Sequence, residues 1–243
     1  MARPGGHIIA GVARWLHYKG AHNPMKKFLL AAALLFTPFF IHAGDGWTSL
    51  FDGKTLAGWT LADGKPPGPG WTVEEGGVLH LAGKGGGFLL SEKEYSSFEL
   101  EWEWRLAEGG NNGIKYWVTK VGGKEWLGIE YQMIDDHKHA DGLRGGSHNT
   151  ASLYDLVDSA KDKILKPIGE WNSSRVVVKD GKIEHWLNGK LASSADTKSD
   201  EWKACVAKSK FKNKEGFAPG HGKLMLTEHG DPTWFRNIRI REL

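Results

Sequence analysis

The chain has 243 residues, 40% of them apolar and 11% aromatic, with a formal charge of +3. That length suits a single domain with a substantial core, and its one cysteine, Cys205, excludes an intramolecular disulfide framework. The positive excess sits entirely at the N-terminus: residues 1–43 hold five basic side chains and no acid, leaving 27 basic against 29 acidic residues beyond them. A remainder with a net charge of −2 lacks the basic footprint of a nucleic-acid binder, so no nucleic-acid partner is expected.

From Met25 the sequence reads MKKFLLAAALLFTPFFIHAGD, two lysines ahead of an apolar run from Phe28 to Ile41 and small residues around Ala43. This is the three-part pattern of a secretory signal peptide, and the run is short for a membrane span. The expectation is an upstream extension over residues 1–24, a signal peptide over 25–43 and one domain over 44–243. Export to the periplasm or beyond follows, without stable membrane insertion once the signal is removed; an uncleaved N-terminal anchor is the alternative.

Gly46 to Trp59 alternates apolar and polar residues around the turn signal Asp52-Gly53, and the proline-rich stretch from Leu61 to Gly70 reads as a loop. Trp71 to Leu81 reads as two short strands split by Gly76-Gly77, followed by a turn over Gly83 to Gly87. Phe98 to Leu106, FELEWEWRL, is the clearest strand. Leu100, Trp102 and Trp104 point one way and Glu99, Glu101, Glu103 and Arg105 the other, a half-buried antiparallel pattern whose acidic face suits cross-strand ion pairs.

Ile114 to Lys120 follows a Gly/Asn turn and puts Lys115 and Trp117 on one face. Gly128 to Ile134 sets Ile129, Tyr131 and Met133 against Glu130, Gln132 and Ile134. Pairing of these two neighbours would bring Lys115 and Trp117 beside Glu130 and Gln132 in a polar and aromatic groove. The strand then breaks into a loop holding Asp135, Asp136, His137, His139, Asp141, Arg144 and His148, a cluster of titratable groups where a site built on a rigid strand belongs.

Trp171 to Val178 and Lys182 to Leu187 form a hairpin over Asp180-Gly181, with Asn188-Gly189 as the next turn; His185 lies on its apolar face and reads as structural. Asp200 to Lys210 reads as one short amphipathic helix with Asp200 as N-cap, and Lys223 to Thr227 and Trp234 to Leu243 close the chain as strands. The fold class is therefore all-β: an antiparallel sandwich of jelly-roll type with one short helix.

Five stretches, GWTSLFDGKTLAGW from Gly46, GIEYQMIDDHKHAD from Gly128, SLYDL from Ser152, the hairpin GEWNSSRVVVKDGKIEHWLNGK from Gly169 and EHGDPTWFRNIRIREL from Glu228, together resemble the 3-keto-disaccharide hydrolase domain family. Thr227-Glu228 stands where that family usually has Gln-Asp. The resemblance implies a concanavalin A-like sandwich that cleaves glycosides already oxidised to a 3-ketone by a separate sugar dehydrogenase. A C3 ketone acidifies the C2 proton, so a base can form an enolate and expel the group at C1, and hydration then gives net hydrolysis. Such a site needs a base, a cation at the enolate oxygen and an acid for the leaving group.

Glu130 is the candidate base, Lys115 or a divalent ion the enolate stabiliser, and His148 or His139 the acid. Gln132, Trp117, Asn112, Asp135, His229 and Glu228 are candidate carbohydrate contacts. His137, His139 and Asp141 alternate, so on extended backbone they would converge on zinc, manganese or iron. A retaining glycosidase would instead need two carboxylates about 5 Å apart; Glu130 and Asp135 fall on opposite strand faces. A non-catalytic carbohydrate-binding module stays open, favoured by eleven tryptophans beyond residue 43.

Overall fold

A computed structural model describes residues 46–243; the signal-peptide pattern and the segment upstream of it lie outside the described residues. The strands in chain order are β1 (Thr48–Ser49), β2 (Trp59–Leu61), β3 (Trp71–Glu74), β4 (Val78–Leu81), β5 (Leu89–Tyr95), β6 (Phe98–Leu106), β7 (Asn111–Val121), β8 (Glu125–Ile134), β9 (Asn172–Lys179), β10 (Lys182–Leu187), β11 (Lys190–Asp196), β12 (Gly222–Leu226) and β13 (Thr233–Glu242), with helix α1 (Asp200–Lys208). They form two antiparallel sheets of a jelly-roll sandwich. An eight-stranded sheet runs β11-β10-β9-β6-β13-β4-β3 with β1 paired to β13, and a five-stranded sheet runs β2-β5-β12-β7-β8. Among the described residues no helix is long and apolar enough to cross a membrane.

Alternation decides what each face does. The inward residues of β6, from Phe98 to Leu106, meet Ile114, Tyr116, Ile129, Tyr131 and Met133 of the smaller sheet in one apolar core. The Trp102 and Tyr131 rings meet edge-on with centroids 4.8 Å apart. The polar atoms carried inside find partners, as burial requires: Trp104 Nε1 donates to Ser174 Oγ at 2.8 Å, and Ser174 Oγ donates to Tyr131 Oη at 2.7 Å. Fixing Tyr131 in this way also fixes its neighbour Glu130 on the opposite face.

The outer face of the larger sheet carries the expected ion pairs. Glu101 meets Arg239 at 2.6 Å and Glu103 meets Arg236 at 2.9 Å, while Glu99 takes both Arg241 and Arg175. At the hairpin, Asp180 and Asn188 hold φ of 53° and 48° ahead of their glycines, the left-handed pairs of primed turns. Helix α1 is capped by Ser199 rather than Asp200: the Ser199 hydroxyl accepts from Trp202 N at 3.1 Å, and Asp200 joins Glu201 in the first turn, where the helix dipole favours acids.

Candidate active site

The site is a row of side chains on the outer face of the five-stranded sheet. Cross-strand partners run Thr60, Leu90, Met225, Lys115 and Glu130 from β2 to β8. Directly opposed residues share a face, so the pairing expected from the sequence puts Lys115 beside Glu130. Residues 151–157 extend the row past β8: Tyr154 N donates to Glu130 O at 3.0 Å, and Ala151 N to Gln132 O at 2.8 Å. Leu153 bridges the inward-facing Tyr131, which turns Tyr154 outward beside Glu130.

Glu130 is 4% exposed. Lys115 Nζ stands 3.6 Å from its Oε2 and His229 Nε2 stands 3.7 Å from its Oε1. Burial alone pushes the carboxyl up, but Lys115, His229 and Lys210 outweigh it and hold the group below the ordinary glutamate value. It is therefore an anion at neutral pH. Gly113 makes room for it: a Cβ there would lie 2.4 Å from Glu130 Oε1. Glu130 Oε1 and Gln132 Oε1 are buried without a hydrogen-bond donor. Each such acceptor costs about 1–3 kcal/mol, and hydroxyls of a bound ligand would relieve both.

A second cluster adjoins the row. Tyr154 Oη donates to Asp141 Oδ2 at 2.7 Å; burial and this hydrogen bond push its phenol above the ordinary range. His148, 8% exposed, packs edge-on against Tyr154 with Nδ1 3.3 Å from Asp141 and Nε2 3.7 Å from Asp155. Asp155 Oδ2 accepts from Lys210 N at 2.7 Å, tying in the loop after α1. The Lys210 ammonium then lies 4.1 Å from the Tyr154 ring centroid and 5.1 Å from that of Phe211. Ala151 and Asp155 adopt left-handed φ of 65° and 61°, strain of a kind that clusters at functional sites.

Of the residues singled out in the sequence, Glu130, Lys115, Gln132, His229 and His148 come together here. Trp117 does not. β7 carries a bulge between Tyr116 and Thr119, and Trp117 at φ 50° turns into the core, where its Nε1 donates to Ser96 O at 2.9 Å. Asn112 pairs with the inward Met133 and is fully buried, its Oδ1 accepting from Gly113 N. Asp135 serves its own loop, accepting from Gly109, His137 and Lys138 amides. Glu228 similarly clamps the Gly83–Gly87 turn through the amides of Gly85 and Gly87.

His137, His139 and Asp141 do not converge, and among the described residues no group of three His, Cys, Asp or Glu side chains is placed to hold a metal. The extended backbone that convergence required is replaced by turns: His139 N donates to Asp135 O, and His139 Nδ1 accepts from Asp141 N. Asp136 is held by Thr150 N and by Lys163, so it forms no carboxylate pair with Glu130. Tyr154, Asp155, Lys210 and Gly113 were missed. Only Tyr154 and Asp155 lay in a motif, SLYDL, that marked them out.

Fold and site together define a jelly-roll sandwich bearing a buried, ionised carboxylate beside a lysine on one sheet face. A family model described as a 3-keto-alpha-glucoside-1,2-lyase-like domain matches residues 46–241, and the chain belongs to that family. A protein of Bacteroides thetaiotaomicron named 3-keto-disaccharide hydrolase is 33% identical over 232 residues, covering 82% of this chain and 79% of that one. A crystal structure of a Parabacteroides distasonis protein, provisionally named a glycosyl hydrolase, superposes with a TM-score of 0.73 at 32% identity, covering 82% of this chain and 94% of that one. A second protein of that organism, with the same provisional name, has a TM-score of 0.65 at 27% identity over 81% of this chain and 99% of its own.

Proposed function

We propose that the protein cleaves the glycosidic bond of 3-keto-glycosides by removing the C2 proton and eliminating the group at C1, with hydration of the product giving net hydrolysis. The observation that carries this is the pairing of Glu130 with Lys115: a desolvated anionic base with a free oxygen, flanked by a cation where an enolate oxygen would form. The family membership and the name of the Bacteroides relative support the substrate class. His229 and Gln132 would bind sugar hydroxyls. A sugar dehydrogenase that oxidises C3 would supply the substrate, and the signal-peptide pattern from Met25 to Ala43 supports a reading in which the reaction runs outside the cytoplasm.

The test is Glu130→Gln assayed on a 3-keto-glucoside and on its parent glucoside. The wild type should release aglycone from the keto sugar alone, and the variant should lose about 10²–10⁴ in kcat while still binding the sugar. Sugar binding with no release by the wild type from either compound would instead mark a lectin-like module.

A further inference from the structure

We propose that Lys210 is the general acid that protonates the departing oxygen at C1, an inference that rests on the 3-keto-glycoside chemistry above. The argument is one of order along the row. In a 3-keto sugar, C1 and C3 flank C2. A base at C2 with Lys115 at the C3 oxygen therefore needs its acid on the opposite side of Glu130. That side is occupied by Tyr154, adjacent to Glu130 through its backbone, and by the Lys210 ammonium over the Tyr154 ring.

Of the other groups there, Tyr154 gives its hydroxyl to Asp141, and Arg144 is salt-bridged to Asp141 at 2.7 Å and cannot release a proton. His148 is buried between Asp141 and Asp155, 3.3 and 3.7 Å from them, with its Nδ1 making no hydrogen bond. Lys210 keeps its ammonium for the ring faces of Tyr154 and Phe211, with only its backbone N–H given to Asp155. Desolvation at this spot lowers its pKa from the ordinary lysine value, Lys115 adds to the lowering, and Glu130, Asp155 and Asp141 oppose it. A lysine eased toward neutral pH is better matched to proton transfer.

The step balances. Glu130 takes the C2 proton, and the electron pair moves into the C3 carbonyl as an enolate beside Lys115. Collapse of the enolate restores the carbonyl, forms the C1–C2 double bond and breaks the C1–O bond, whose oxygen takes a proton from Lys210. The neutral amine then accepts a proton from water adding to C1, while protonated Glu130 returns its proton to C2. Both groups are reset.

The test is Lys210→Arg, which keeps the charge and the aromatic contacts but cannot give up a proton. It is assayed on methyl 3-keto-glucoside, whose alkoxide needs protonation, and on nitrophenyl 3-keto-glucoside, whose phenolate hardly does. The expected result is a loss of about 10²-fold or more in kcat on the methyl substrate and little change on the nitrophenyl one, with Lys210→Met behaving the same way. Equal losses on both, or none, would overturn Lys210 as the acid while leaving the keto-sugar chemistry standing. A wild type that cleaves neither substrate would overturn both.

Discussion

At position 113 the absence of a side chain sets the pose of Glu130, the proposed base. Gly113 lies opposite Gln132 on β7, and the Glu130 carboxylate occupies the space its Cβ would fill. The backbone there needs no left-handed angle, so Gly113→Ala should leave the strand paired while displacing Glu130 from Lys115. A displacement near 1 Å costs catalysis about 10²-fold. Turnover should fall by that order with the unfolding midpoint moved by only a few degrees, checked by steady-state kinetics beside thermal denaturation. Asp135 and Glu228 teach the opposite lesson. Their carboxylates suited ligand contacts as residue types, yet each is consumed by loop amides, because sequence reveals an acceptor without revealing which donors the fold will bring to it.

The same contrast runs through the elements. β6 and β10 were legible to the residue and β9 to within one position, since period-two alternation and left-handed turn pairs are local properties. β7 was legible only as far as Tyr116. Its bulge inserts one residue, so Trp117 joins Tyr116 in the core and Val118 turns out to meet Leu90 and Met225. Nothing in IKYWVTK announces the shift. Trp117 anchors the bulge with its indole hydrogen bond to Ser96, and Trp117→Ala should cost about 3–5 kcal/mol. Urea denaturation should show this as a lower midpoint at unchanged slope. Residues 151–157 and the loop carrying Lys210 escaped because the contacts that define them are not local: Tyr154 and Ala151 reach back to Glu130 and Gln132, and Lys210 reaches Asp155 across 55 positions.

For the molecule as a whole, pH acts on stability through a histidine of the core. His185 is fully buried between the sheets, with Nε2 2.9 Å from Tyr116 Oη and Nδ1 facing the carbonyls of Ala151 and Ser152. Burial lowers its pKa from 6.5 to about 3, the two carbonyls only partly opposing this. The unfolded chain thus binds a proton below pH 6.5 that the folded one refuses until about pH 3. Stability is full above that window and falls as pH drops through it, by about 1.4 kcal/mol per unit from this group. His185→Gln should flatten that part of the curve, measured as unfolding free energy between pH 6 and about 4.

The sheet architecture carries a last consequence. β8 is the outermost strand of its sheet, and its free edge is closed by residues 151–157, the segment that presents Tyr154 and, through Asp155, the Lys210 loop. An uncovered strand edge is a template on which further chains can stack. Catalytic competence and resistance to aggregation are therefore guarded by the same few hydrogen bonds: a lesion that loosens this strap would appear as insoluble protein and as lost activity together, and selection for either would preserve both.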